Sequence, residues 1–207
     1  MTPRLVLFST LAAGLFSGCL SRTDHTQYYL LTTPADAPSQ AVESSRVFLV
    51  GLNIASVEFL HTRQMLVQSG PNQLRLSEDN VWRETPQAGF ARVLAQRFAH
   101  NLPDCQLCEL PLATTNTPEL VLEIQLDSLQ GRLQPKSEAE VSAEVRILNA
   151  GGRLLERDEL RQTAPWSPTA PPDGYPALAA AESRAAAALA DEIGQKVLAC
   201  HCHLSKP

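Results

Sequence analysis

The chain reads as a single α+β domain, a mostly antiparallel β-sheet with two main helices packed on one face. Three features predict it. Leu120, Leu122, Ile124 and Leu126 alternate with Glu123, Gln125 and Asp127. Ala139, Val141, Ala143, Val145 and Ile147 alternate in the same way with Glu140, Ser142, Glu144 and Arg146. Strict period-two patterning puts one strand face on a core and the other in water, as in antiparallel sheets. Two other stretches carry helical periodicity, each with one apolar stripe that must be covered. Strands and helices in these proportions close as two layers.

The elements follow in chain order. Arg4, an apolar run from Leu5 to Phe16, and Ser17-Gly18 before Cys19 have the layout of a secretory leader. The run is too short for a permanent membrane span. Small residues directly before a cysteine are the pattern of a bacterial lipoprotein signal, which is cut ahead of a cysteine that carries a covalent lipid. Residues 1–18 are therefore expected to be the leader, Cys19 the lipidated N-terminus, and 19–26 a polar tether. Leu20 stands where an Asp would retain such a protein at the inner membrane, which favours the outer membrane. A single domain is expected over residues 27–203.

Within that domain, Gln27 to Thr32 reads as a first strand and Thr33 to Ser45, with two prolines, as a loop. Arg46 to Leu52 is a nearly continuous apolar run, which suggests a central strand. Gln64–Ser69 and Gln73–Ser77 flank Gly70-Pro71-Asn72 and predict a hairpin. Thr85 then suits a helix N-cap and Pro86 the first helical position. Phe90, Leu94, Phe98 and Leu102 recur every four residues with Val93 beside them, and Pro103 ends the helix. Asn149-Ala150-Gly151-Gly152 turns the second alternating strand into a charged one from Arg153 to about Gln162, suited to a sheet edge. Ala164 to Pro176 holds five prolines and is expected to be irregular, a plain connector or a partner-binding segment. Leu178, Ala181, Ala185, Leu189, Ile193 and Val197 lie along the final alanine-rich helix.

The chemistry-bearing residues are few. A net charge of -5 and the lack of basic runs argue against nucleic acid. No phosphate-cradling glycine loop, nucleophile elbow or paired-histidine zinc helix occurs, so no catalytic or cofactor role is expected. His25, His61 and His100 are scattered and read as surface residues. Cys105, Cys108, Cys200 and Cys202, with His201 and His203, form one notable set. Both pairs fall just past the ends of the two helices, the last of which is expected to run through Ala199, and helices lying side by side in the same direction would bring them together. In an oxidising compartment disulfides between the two pairs are expected, ahead of a tetrahedral zinc site. Tyr28, Tyr29 and Trp82 are expected to pack in the core.

Taken in order, several of these pieces resemble the PqiC/YmbA-like family, the auxiliary lipoproteins of ABC-type, MCE-protein lipid transport systems. They are Cys19, Tyr28-Tyr29-Leu30-Leu31, the strand-rich stretch from Val47 to Ser77, Val81-Trp82-Arg83-Glu84-Thr85-Pro86, the helix from Phe90, the two alternating strands, and Gly174-Tyr175 before the last helix. Arg83 departs from the small residue usual after the tryptophan, and the four mature cysteines are not a hallmark of the family. The resemblance implies Tyr28, Tyr29, Leu31 and Trp82 as family-motif residues. It also implies a periplasmic domain anchored to the outer membrane, an MCE-domain protein and ABC components as partners, and a docking role, as a ring of identical copies or otherwise. A stand-alone envelope assembly lipoprotein and a periplasmic metal-binding lipoprotein are the alternatives.

Overall fold

The computed structural model describes residues 25–33, 47–111, 117–169 and 174–204. Cys19 and the expected leader, residues 1–18, therefore lie outside the described residues. So do most of the 33–45 loop and the middle of the proline-rich segment.

Eight strands form one sheet. They are β1 (Gln27–Tyr29), β2 (Phe48–Ser56), β3 (Gln64–Gly70), β4 (Gln73–Trp82), β5 (Cys105–Glu109), β6 (Leu120–Arg132), β7 (Glu138–Asn149) and β8 (Leu154–Pro165). A 3-10 turn, Glu58–Leu60, follows β2. The long strand β6 organises the sheet. Along its whole length one side pairs antiparallel with β7, which pairs antiparallel with β8. Its other side is shared: Leu120–Leu126 pair in parallel with β2, while Gly131 and Arg132 pair in parallel with β3. The sheet thus forks, with β5 beside β2 on one prong and β4, then β1, beside β3 on the other.

The alternating strands, the Gly70-Pro71-Asn72 hairpin and the charged edge strand β8 are found where the sequence puts them. The sheet differs in being mixed. Three pairings are antiparallel and four parallel, namely β1–β4, β2–β5, β2–β6 and β3–β6. The antiparallel ladders contain the longest strands, so most paired residues are still antiparallel. A register shift between Leu126 and Ser128 interrupts the alternation of β6, after which Leu129 takes the inward position.

Two helices cover the sheet. Helix α1 (Pro86–Asn101) starts as its caps dictate: the Thr85 hydroxyl accepts from the Ala88 N–H and Pro86 occupies the first position. Its buried face is Phe90, Val93, Leu94 and Phe98. Each phenylalanine contributes about 1.5–3 kcal/mol by leaving water. Helix α2 (Tyr175–Leu204) is buried over a wide arc, because α1 flanks it while β6, β7 and β8 lie beneath. Its alanines permit that approach. The helices run in the same direction. Arg97 and Asn101 near the end of α1 bond Asp191, and Gly194 packs near Phe98 and Leu102.

Two boundaries correct the sequence reading. Cys105 and Cys108 lie within β5, a strand the sequence did not reveal, and Cys200 and Cys202 lie within the last turns of α2 rather than past its end. The proline-rich segment is shorter than expected, since Ala164 and Pro165 finish β8 and α2 begins at Tyr175. Gly174 leads into that helix with φ of 80°, a left-handed conformation open chiefly to glycine.

Candidate functional site

Three of the family-motif residues, Tyr29, Leu31 and Trp82, meet at one place, a seam that ties the first strand to the rest of the domain. Strand alternation splits Tyr28-Tyr29-Leu30-Leu31 into two faces. Tyr29 turns inward, where its hydroxyl donates to Asn80 Oδ1 at 3.1 Å and its ring meets Trp82 edge-on, centroids 6.5 Å apart. Trp82 and Leu31 are each 2% exposed. The Tyr29 carbonyl accepts from the Arg83 N–H at 2.8 Å, and the Leu31 carbonyl accepts from Arg92 Nη2 of α1 at 2.8 Å. Arg92 also pairs with Glu84, the residue before the N-cap. Thr32 completes the seam by donating its N–H to Ser183 Oγ on α2 at 3.0 Å.

Residues 29–32 thus touch β4, α1 and α2 at once. Tyr28 and Leu30 take the other face and are 58% and 48% exposed. Tyr29 and Trp82 pack as expected; Tyr28 does not, because an odd-even strand cannot bury both neighbours. Asn80, Arg92 and Ser183 belong to the same seam and were not picked out in the sequence. Their signal is weak, since each is a polar residue whose partner is distant in the chain.

The cysteines lie at the other end of the helices and are free thiols. Helix ends do meet there, with the His201 ring stacked on Phe48 of β2 at 3.9 Å. No disulfide joins them, and within each pair the side chains point apart. Residues two apart on a helix point about 200° apart, so Cys200 is buried while Cys202 is exposed. Residues three apart on a strand lie on opposite faces, so Cys105 and Cys108 diverge too. Cys200 donates to Glu156 Oε2 of β8 at 3.3 Å, and Cys108 donates to the Val50 carbonyl at 3.4 Å. Burial, with Cys108 nearby, pushes the Cys105 thiol up to about 12. Burial and then the Glu156 hydrogen bond push Cys200 up to about 11. Neither is disposed to form thiolate at neutral pH. Among the described residues no group of three or more His, Cys, Asp or Glu is placed to hold a metal ion.

The outward faces of β6–β8 carry a ladder of ion pairs: Arg146 with Glu123, Arg157 with Glu144, and both Arg132 and Arg161 with Glu140. Several shallow surface depressions of about 260 to 340 Å³ lie around the domain, one of them over Glu123, Glu144 and Arg146 of this ladder. These volumes are at or below the low end for small-molecule sites, about 300–1,000 Å³. One buried ionisable residue stands apart: Glu182 of α2 is fully buried with neither carboxylate oxygen hydrogen-bonded, and burial raises its pKa well above the ordinary value.

A forked mixed sheet under two co-directional helices, with the segment after its first strand bonded to both, makes a single α+β domain. The chain belongs to the family of ABC-type transport auxiliary lipoprotein components, whose model matches residues 29–194. That match begins at Tyr29, the last residue of β1, and takes in β2 to β8, α1 and α2 as far as Gly194. Among solved structures, the protein XCC0632 from Xanthomonas campestris is similar with a TM-score of 0.70 at 15% identity, covering 87% of this chain and all of that one. An uncharacterized protein is similar with a TM-score of 0.65 at 16% identity, over 83% of this chain and 98% of its own. At such identities these two show a shared fold. No protein of curated function matches the chain in sequence.

Proposed function

We propose that this protein is the outer-membrane-anchored lipoprotein component of an MCE-type intermembrane lipid transport system, a docking or structural element without catalysis of its own. The observation that carries the reading is the family match across residues 29–194. Cys19 is the residue to carry the lipid, and the ABC ATPase and the MCE-domain conduit are separate chains. The seam supports a docking role. A tether that leads directly into residues bonded to β4, α1 and α2 couples the anchor to the whole domain. A ring of identical copies around the conduit is the assembly this reading favours.

Deletion of the gene, complemented by wild type or by Cys19→Ser, tests the reading. Wild type should restore the outer-membrane barrier to large apolar compounds and Cys19→Ser should not. An unchanged barrier on deletion would favour the stand-alone envelope lipoprotein instead.

A further inference from the structure

The side chains in the outward half of the Tyr28-Tyr29-Leu30-Leu31 motif face away from the core. Tyr28 and Leu30 are among the most exposed large apolar side chains of the described residues, and they sit on or just past the edge strand β1. Val81, the register partner of Tyr28 on β4, is half-buried and extends the apolar strip inward. Two exposed arginines stand at the far end of β1. The Arg83 N–H donates to the Tyr29 carbonyl, and Arg63 donates through Nη1 to the Arg83 carbonyl. Neither has a carboxylate within ion-pair distance among the described residues. Glu78 and Asp79 of β4 are exposed near the other end, beside Gln27.

Chain length says what lies opposite this strip. Seven residues separate Cys19 from Gln27, so even fully extended the lipid-bearing residue stands within about 28 Å of β1. A domain of this size is about 40 Å across, from a radius of gyration of about 16 Å. The tether is shorter than the domain, and the β1 edge is therefore the side kept nearest the bilayer. A tyrosine and a leucine beside arginines are the residue types that settle at a membrane–water interface, rings at headgroup depth and guanidinium groups on phosphates.

We infer that Tyr28 and Leu30 form a second, non-covalent contact with the lipid surface, with Arg63 and Arg83 at lipid phosphates. This rests on the lipidated-Cys19 reading above. The two faces of the motif then divide the work, Tyr29 and Leu31 gripping the domain while Tyr28 and Leu30 meet the membrane. A flexible lipid anchor sets the distance of the domain but not its orientation. A second, peripheral contact fixes which face is turned to the bilayer.

The test uses full-length Tyr28→Trp protein in vesicles of phosphatidylethanolamine and phosphatidylglycerol, with brominated phosphatidylcholine as the quencher. Wild type supplies the background of Trp82 and Trp166. Leu154→Trp, exposed at the opposite edge strand β8, supplies the control. Mass spectrometry of the same sample reads the lipid on Cys19. The expected result is a blue shift and loss of emission from the indole at position 28, with the one at position 154 unaffected. If Cys19 carries lipid yet the position-28 indole stays as open to aqueous iodide as the control, the contact is refuted and the anchor stands. If that indole is shielded from both quenchers, a protein surface covers it and the inference is again overturned. Absence of lipid on Cys19 removes the anchor and the inference together.

Discussion

Glu182→Gln isolates an unusual feature of this fold, a carboxyl group buried in α2 with no hydrogen-bond partner. In the folded state burial raises its pKa well above 4.5, whereas the unfolded chain ionises it near 4.5. Between those two values the native state holds a proton that the unfolded state has released. Stability must then fall as pH rises, by up to about 1.4 kcal/mol per pH unit for one proton. Below the unfolded value both states are protonated and the loss vanishes; above the folded value it is constant. Glutamine cannot ionise, so the variant lacks this slope while still burying a polar side chain. The difference in stability between wild type and Glu182→Gln should therefore be constant well below pH 4.5. The variant should gain on wild type by about 1.4 kcal/mol per unit as pH is raised, up to the folded value. Other titrating groups cancel in the difference. Urea denaturation at pH 5, 6 and 7, followed by tryptophan fluorescence, reads it directly. Wild-type and variant stabilities that stay parallel over that range would refute a buried, proton-holding Glu182.

Three further outcomes follow from the packing. Gly174→Ala should destabilise by more than about 1 kcal/mol, since a Cβ there would sit 2.6 Å from the Pro168 carbonyl oxygen on a backbone of positive φ; an unchanged thermal midpoint would contradict this. Thr85→Ala should cost about 1 kcal/mol through the lost cap to Ala88, measured by urea denaturation, with Thr85→Ser restoring most of it. Maleimide labelling of the folded, reduced protein at neutral pH should modify exposed Cys202 first and Cys105 and Cys200 far more slowly, because burial raises both thiols. Equal labelling rates would contradict the placement of these residues.

Much of the architecture was legible because it is written in short-range pattern. Alternation over 120–126 and 139–147, the Thr85-Pro86 cap and the four-residue spacing from Phe90 are each local, and each formed as read. The parallel pairings left no such trace. Strand β2 pairs with β6 some seventy residues away, and nothing near Val50 names Leu120 as its partner. Strand β5 was hidden because Cys105-Gln106-Leu107-Cys108-Glu109 is short and mixed, and pairs only with β2 along one side. Missing it, and ending α2 too early, made the cysteine pairs look convergent when strand and helix geometry turn their members apart. Half of the seam was visible, as Tyr29, Leu31 and Trp82. Its polar half was not, because Asn80, Arg92 and Ser183 gain meaning only from tertiary neighbours. Glu182 was obscured for the same reason. A single-stripe reading of α2 places it at the edge of the buried face, whereas α1 and the sheet together bury a much wider arc.

Co-purification from native cells tests the central claim most directly. Tagged full-length protein, crosslinked in intact cells and extracted in mild detergent, should bring down an MCE-domain protein together with ABC components, and Cys19→Ser should bring down markedly less at equal expression. Recovery of no MCE or ABC component by the wild-type protein, under conditions where its Cys19 is shown to carry lipid, would contradict the transport assignment.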